Sequence, residues 1–204
     1  WRGIIKGPWI HQNIIDTLVN IKKNKKITGG NKVHESDGFC AALPFFLYSR
    51  SFKNLKNIIS LVCSSKISIK YGLAKLQILN LALNGKKNPI NFFVQKYKDN
   101  TYFKEVVIGI KKVKRLKSKP HNFVVKKLGI TCRYPGTFNS AIHAIIKSKN
   151  YKEAILTTIK AGGCNCSRSN FVGSYFAALD GEDAIPLSWI ARTFYSKMII
   201  NISK

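Results

Sequence analysis

Apolar residues recur at every third or fourth position along most of this chain, which is the spacing of one face of an α-helix. No stretch sustains the strict apolar and polar alternation of a half-buried strand. A chain of 204 residues is long enough to bury one ordinary core. We therefore predict an all-α fold: a single compact multi-helix bundle that forms one domain over residues 1–204. The apolar stripes lie within residues 10–19, 52–62, 69–83, 102–116, 138–146, 151–159, 171–179 and 187–194, and residues 90–98 form a further short helical segment.

Glycine and proline separate these stripes at the places where helices end or begin. Gly85 follows the third stripe, Pro120 ends the basic fourth stripe, and Pro186 precedes the last one. The chain also contains four glycine-rich loops, and we expect them to line a single cleft if they lie at one end of the bundle. Their sequences are TGGNKVHESDGF (28–39), RYPGTF (133–138), AGGCNCSR (161–168) and LDGEDAIP (179–186).

The chain is strongly basic, with 35 Lys and Arg against 9 Asp and Glu, and most of the excess lies in residues 1–149. Such a field attracts phosphates and anionic surfaces. However, Lys outnumbers Arg by 29 to 6, and Arg is the side chain that grips phosphates and guanine edges in two places at once. Abundant Lys, Asn and Ile are typical of an A+T-rich coding sequence. We therefore interpret the charge as mainly compositional, and binding of nucleic acid or another polyanion through residues 104–127 is an alternative.

The sequence shows no membrane segment and no secretory leader. No run of about 18 uncharged apolar residues occurs, and the first ten residues do not read as a signal peptide. The five cysteines are an odd number and are scattered, unlike the disulfide framework of a small secreted domain. We expect an intracellular, cytoplasmic protein in a reducing compartment.

The segment IKAGGCNCSR places two cysteines at the start of a helix. Cys164 and Cys166 offer two thiolates, which suit zinc or copper(I). A structural zinc site needs four ligands, and the remaining candidates Cys132, His121 and His143 lie at no diagnostic spacing. The spacing is also one residue shorter than that of a Cys-x-x-Cys redox pair. Neither a thiolate metal site nor a redox pair is favoured.

The longer segment AGGCNCSRSNFVGSYFAALDGEDAIPLSWIART resembles a signature of the ADP-ribosylglycohydrolase-like family. In that family a glycine pair precedes aspartates and a small hydroxyl residue at a helix start, as in GGDTDT. The segment is most similar to the branch that contains the J crystallins of eye lenses, which read GGDNCSR there. Other segments that resemble this branch are GPWIHQNIIDTLVN, TGGNKVHESDGFCAALPFFLYS, YGLAKLQILNLAL and VKKLGITCRYPGTFNSAIHAIIKSKNYKEAI.

The resemblance implies an all-helical fold that holds two Mg²⁺ ions in a cleft and hydrolyses ADP-ribose linkages. In the family, the ions are bound by an early acidic cluster and by the aspartates of the late loop, because Mg²⁺ requires oxygen ligands. The corresponding late positions here are Cys164, Cys166 and Ser167. Thiols are poor magnesium ligands, so we expect magnesium binding to be weak or absent.

The early acidic cluster has no counterpart in the first 30 residues, where Asp16 stands alone. The chain also begins with Trp1 rather than Met. We therefore expect a fragment that begins downstream of the cluster.

The resemblance also assigns ligand contacts. Asp37 and Gly38 match a turn that faces the ribose, and Asp37 is expected to hydrogen-bond a ribose hydroxyl. The structural alternative is an ordinary helix N-cap formed by Ser36 or Asp37. In RYPGTF we interpret Pro-Gly as a turn and Phe138 as a core residue, and we interpret His143 as a packed side chain.

Gly162 and Gly163 are expected to expose backbone N–H groups at a helix start, which is a site suited to an anion such as phosphate. Arg168 is adjacent and is expected to assist. The structural alternative is a helix capped by Ser167, with Arg168 extending into solvent.

These observations favour an ADP-ribosylglycohydrolase-like protein whose hydrolytic activity is weakened or lost. It would keep a cleft for ADP-ribose or an ADP-ribosylated substrate, or act structurally like the crystallins. One alternative is an active hydrolase whose metal ligands come from a missing N-terminal part, and another is the Lys-rich polyanion-binding protein. The sequence assigns no catalytic residue.

Overall fold

The computed structural model describes residues 10–203, and nearly all of its regular structure is helical. No strand forms within these residues, so the all-α prediction is confirmed; one isolated bridge joins Gly30 to Cys63. No helix in this part of the chain is both long and apolar enough to cross a membrane. The helices are α1 (Gln12–Lys22), α2 (Asp37–Ser49), α3 (Leu55–Val62), α4 (Lys66–Leu83), α5 (Pro89–Lys96), α6 (Lys104–Lys114), α7 (His121–Leu128), α8 (Gly136–Lys147), α9 (Tyr151–Lys160), α10 (Asn165–Asp180), α11 (Leu187–Ala191) and α12 (Ser196–Ser203), with a 3₁₀ turn at Glu182–Ala184.

Helices α4, α8 and α10 form the centre of the core. The rings of Phe138 in α8 and Phe171 in α10 stack with centroids 5.9 Å apart, and Phe39 of α2 meets Phe171 edge-on at 6.0 Å. Tyr71 of α4 packs against Phe138 at 5.1 Å. Because α2, α8 and α10 each begin at a glycine-rich loop, this packing brings the starts of the three helices to one region.

Most of the predicted apolar faces are buried. Leu55 and Ile59 of α3, Leu76 of α4 and Ile110 of α6 are completely inaccessible to solvent. Phe138 is as well, so its assignment to the core is confirmed. Buried apolar side chains of α2 to α6 and of α8 to α10 form one continuous cluster, and the domain limits 1–204 stay a prediction.

Helix α1 forms where its stripe predicts, but the stripe faces solvent. Leu18 and Val19 are 51% and 42% exposed, whereas Asn13 on the opposite side is fully buried. Hydrogen bonds explain this orientation, since Asn13 bonds to α2 and Asn20 Nδ2 donates to the carbonyl of Thr28 at 2.8 Å. An apolar stripe shows which side of a helix is apolar, but it does not show that a neighbouring element covers that side.

The last stripe, at residues 187–194, is exposed as well. Leu187 is 82% exposed and Phe194 is 90% exposed. Helix α11 begins one residue after Pro186, close to the predicted start, but it ends after five residues. The helix is therefore too short to carry the two-turn apolar face that the stripe predicts.

Two helices were not predicted from the sequence. Helix α7 begins directly after Pro120, the residue that ends the preceding basic segment, and helix α12 follows α11 after a short turn.

Candidate functional site

Three of the four glycine-rich loops meet, whereas all four were expected to line one cleft. The backbone N–H of Tyr134 donates to the carbonyl of His34 at 2.7 Å, which joins the second loop to the first. The N–H of Cys164 donates to the carbonyl of Ile130 at 2.8 Å, which joins the third loop to the segment before the second. The fourth loop instead contributes Glu182 to a separate apolar groove.

The late loop is a sharp turn between α9 and α10. Gly162 and Gly163 both have left-handed φ angles, +73° and +68°, a conformation that only glycine adopts without strain. A side chain at Gly163 would run into the carbonyl of Ile130, whereas the space beside Gly162 is open. The predicted helix end at the glycine pair is therefore confirmed, and Gly163 in particular is required by close backbone contact.

The predicted anion site at this helix start is largely closed by internal hydrogen bonds. The N–H of Cys164 is bonded to Ile130, and the N–H of Asn165 donates to the carbonyl of Gly163 at 2.9 Å. The thiol of Cys164 and the hydroxyl of Ser167 bond to each other at 3.1 Å. Ser167 thus does not act as the helix cap, so that structural alternative is wrong.

Arg168 is completely buried rather than extended into solvent. Its Nη2 donates to the carbonyl of Gly162 and, at 2.8 Å, to Oδ1 of Asn165. Burial lowers the pKa of the guanidinium. The guanidinium of Arg168 therefore lies inside the loop and is hydrogen-bonded to it. The alternative in which Arg168 extends into solvent is also wrong.

The late loop does not fit a magnesium ion. Mg²⁺ binds oxygen ligands in a near-ideal octahedron, but the three positions that the resemblance assigns carry two thiols and one hydroxyl that is already bonded to a thiol. The amide oxygen of Asn165 is occupied by Arg168. A buried cation beside the loop further disfavours a second one, because like charges in a low-dielectric interior repel strongly.

Asp37 lies at the start of α2, as predicted, but its carboxylate does not cap the helix. The N-cap residue is Ser36, and its side chain makes no capping hydrogen bond. Asp37 Oδ2 instead lies 2.8 Å from Nδ1 of His11 and accepts a hydrogen bond from Nδ2 of Asn13 at 3.1 Å. Gly38 packs against Ile59, where a side chain would have no room.

A cluster of three different ligand types lies beside Asp37 and was not found from the sequence. Nε2 of His11 contacts Oε2 of Glu35, and the thiol of Cys132 donates to Oε1 of Glu35 at 3.0 Å. Burial and the neighbouring Glu35 carboxylate raise the pKa of Cys132 to about 12. The three donor atoms all lie within 4.8 Å of one another. His11 directly precedes α1, and Glu35 and Cys132 lie in two separate loops, so no local spacing reveals the cluster.

The two other residues considered as metal ligands, His121 and His143, form a buried pair. Their Nδ1 atoms are 2.9 Å apart, and Nε2 of His143 is 3.0 Å from the carbonyl of Leu116. Burial, His143 and Arg168 lower the pKa of His121 to about 3. The interpretation of His143 as a packed side chain is confirmed.

Lys75 of α4 is a fully buried lysine near Asp37. Its Nζ donates to Oγ of Ser36 at 2.6 Å and lies 4.5 Å from the ring centre of Phe39. Burial lowers its pKa to about 7, although the neighbouring Cys40 and Asp37 oppose the shift. The amine is therefore close to half protonated at neutral pH.

The low pKa of Lys75 predicts a pH-dependent stability. The unfolded lysine has a pKa of about 10.4, so between pH 7 and 10 the unfolded state binds more protons and stability rises with pH. We expect the free energy of unfolding to increase by about 1 kcal/mol between pH 7 and 8. Urea denaturation at the two pH values measures this increase.

The Lys75→Met variant should lose the increase, while Lys70→Met should keep it. Lys70 is on the same helix, but it pairs with Glu105 at the surface at 2.8 Å. An equal increase in the Lys75→Met protein would contradict the assignment.

A large groove of about 1000 Å³ lies on the other side of α10. It is mostly apolar and runs between α2, α4 and the C-terminal helices, with Leu43, Leu79, Gly173 and Trp189 along its walls. Asn170 connects it to the loops, since its Nδ2 donates to Ser36 Oγ at 3.3 Å and to Cys40 Sγ at 3.0 Å.

The helical core, with a glycine-pair turn at the start of α10, makes this an all-α protein. Comparison with known proteins identifies its family. The sequence model of ADP-ribosylglycohydrolase matches residues 19–202. The chain belongs to the ADP-ribosylglycohydrolase family.

Its similar relatives include crystallins. Crystallin J1A of Tripedalia cystophora is 26% identical over 205 aligned residues, covering 98% of this chain and 62% of the relative. Crystallin J1B of the same organism is 22% identical, covering 96% of this chain and 61% of the relative. A solved structure described as an ADP-ribosylglycohydrolase-related protein complex superposes with a TM-score of 0.65 at 14% identity, over 92% of this chain and 65% of that one. It shows the shared fold. The chain thus spans less than two thirds of the length of these relatives.

Proposed function

We propose that this chain uses the ADP-ribosylglycohydrolase fold without magnesium-dependent hydrolysis, as a structural protein of the kind that the crystallin names of its relatives indicate. The late loop carries the proposal. The resemblance places metal-binding carboxylates there, and this chain has Cys164 and Cys166. The groups around them bond to one another, and the guanidinium of Arg168 lies inside. No carboxylate of the described residues takes over this position.

Hydrolysis of ADP-ribosyl-arginine with excess Mg²⁺ tests the proposal. We expect the rate to equal that of buffer alone, since the loop lacks the oxygen ligands that would hold the ion. A Cys164→Asp, Cys166→Asp double variant restores the family's carboxylates. Its circular dichroism spectrum shows whether the helical fold is kept. Magnesium-dependent turnover by the unmodified chain would refute the proposal and favour the alternative in which residues outside this chain complete an active site.

Metal-independent binding of ADP-ribose is a second candidate, favoured by Asp37. Its side chain is 26% exposed, so one face of the carboxylate is open to a ribose hydroxyl while the other bonds to His11 and Asn13. Isothermal titration with ADP-ribose should then give the same Kd with Mg²⁺ and with a chelator, and Asp37→Asn should weaken binding. An absence of heat under both conditions would leave only the structural role.

The polyanion-binding alternative would use the exposed lysines of α6 and α7. Lys111 and Lys112 on α6 and Lys126 and Lys127 on α7 are exposed. Binding through them would weaken steeply with salt, with a logarithmic slope of roughly −0.9 per phosphate contact. An absence of DNA or RNA binding at low salt removes this candidate.

A further inference from the structure

The cluster of His11, Glu35 and Cys132 has the composition of a transition-metal site. It combines an imidazole, a carboxylate and a thiol, whose donor atoms lie within 4.8 Å of one another. Around a tetrahedral zinc ion, with bonds of about 2.0–2.3 Å, such atoms lie roughly 3.2–3.7 Å apart. Small shifts of the three side chains would therefore bring them to coordination distance.

The orientation of His11 is the one that a metal ligand requires. Its Nδ1 lies 2.8 Å from Oδ2 of Asp37, and its Nε2 contacts Oε2 of Glu35. A histidine that binds a metal through Nε2 is commonly held in this way by a carboxylate on Nδ1.

The surroundings of Glu35 also suit a cation. Only 5% of this residue is exposed, and among the described residues its ion-pair partner is His11, with no lysine or arginine within ion-pair distance. A buried carboxylate is stable when it is paired or coordinates a metal. A divalent ion bound by neutral His11, Glu35 carboxylate and Cys132 thiolate would give a group with no net charge.

We propose that His11, Glu35 and Cys132 bind one divalent ion of the zinc class, with a water molecule as the fourth ligand. On binding, Cys132 loses its thiol proton to solvent and forms a bond from Sγ to the metal, while Glu35 exchanges its hydrogen bond from that thiol for a bond to the ion. The ligand set selects against Mg²⁺, since imidazole and thiolate suit zinc and cobalt while magnesium requires oxygen. Three protein ligands and one open position are also the pattern of zinc sites that do chemistry.

Titration of the chelator-treated, reduced protein with Zn²⁺ and Co²⁺ tests the proposal. We expect one ion per chain in calorimetry and, with Co²⁺, the near-ultraviolet charge-transfer absorption of a thiolate ligand. Cys132→Ser should abolish that absorption and weaken zinc binding by about 100-fold or more, and Asp37→Asn should weaken it by about 10–100-fold through loss of the support for His11. Excess Mg²⁺ should not displace cobalt.

Two further cysteine variants make the result specific. Cys40→Ser is the matched control, since this thiol is exposed and lies outside the cluster, and it should leave the cobalt spectrum unchanged. Cys164→Ser tests whether the late loop holds the ion instead. Loss of the absorption in Cys164→Ser, its persistence in Cys132→Ser, or no binding at about 10 μM metal would overturn the proposal. The last result would leave His11, Glu35 and Asp37 as a structural cluster without a metal.

The site and the proposed function can fail separately. Zinc binding without hydrolysis would support both, and magnesium-dependent hydrolysis that Cys132→Ser leaves intact would refute only the structural role. Circular dichroism of each variant confirms that it is folded before metal is added.

Discussion

Gly163→Ala is expected to lower the free energy of unfolding by about 4 kcal/mol or more, the range reached by substitutions that break a specific structural requirement. Two effects add. The residue has a φ of +68°, which costs a residue with a side chain about 1–2 kcal/mol. In addition, its new methyl group would lie closer than 3.0 Å to the carbonyl oxygen of Ile130. That oxygen belongs to the backbone and accepts a hydrogen bond from Cys164, so it cannot move aside without opening the junction of the loops.

Gly162→Ala is the matched control for this prediction. Gly162 has nearly the same φ, +73°, but nothing lies within 4 Å of the position that a Cβ would take. We expect it to be destabilised by about 1–2 kcal/mol only. Urea denaturation followed by circular dichroism measures both variants. Equal losses would show that backbone conformation alone is responsible and that the contact with Ile130 is unimportant.

Acidification from pH 6.5 to pH 4 should destabilise the protein by about 3 kcal/mol through His121 alone. In the folded state its pKa is about 3, whereas an unfolded histidine has a pKa of about 6.5. Below pH 6.5 the unfolded state therefore binds a proton that the folded state excludes, and each further pH unit costs about 1.4 kcal/mol. This stability is complete above pH 6.5 and is lost as the pH falls towards 3.

The physical origin of the effect is the environment of the histidine pair. His121 is almost fully buried, its Nδ1 faces Nδ1 of His143 at 2.9 Å, and the positive charges of Arg168 and Lys147 act on it. A proton on His121 would place another positive charge among these groups without a carboxylate partner. The pair is thus a structural element that requires neutral imidazoles.

His121→Asn should flatten the acid-dependent loss by about the same amount, since asparagine does not titrate and keeps a polar group near the Nδ1 position. His34→Asn provides the control. Free energies of unfolding at pH 6.5, 5 and 4 give the slopes, and the ring proton resonances of His121 in the folded protein should not titrate in this range. Identical slopes in the wild-type and His121→Asn proteins would disprove the assignment.

Much of the fold was predictable because its determinants are local. Helix α8 begins at Gly136, directly after Pro135, and carries a stripe that includes Phe138, which is buried as predicted. Helix α9 likewise ends at the glycine pair. A repeat of three or four residues and a glycine or proline stop act within a single helix, so they can be read without knowing the neighbours.

The candidate site was predictable only in part. The departures at Cys164, Cys166 and Ser167 are visible in the sequence once the resemblance is recognised, and they already indicate a loop that does not suit magnesium. The burial of Arg168 was not predictable, because an arginine at a helix start is usually solvated. Its burial is stabilised because the carbonyl of Gly162 and the amide oxygen of Asn165 accept its hydrogen bonds.

The sequence by itself determined the helical class, the main breaks between helices, the family and the presence of cysteines rather than carboxylates in the late loop, since each is written in contiguous residues. Only the tertiary structure decided that α1 turns its polar side inward, and that Glu35 meets Cys132 across 97 positions and His11 from a third segment. Such contacts depend on how helices from distant parts of the chain pack. No spacing along the sequence records that packing.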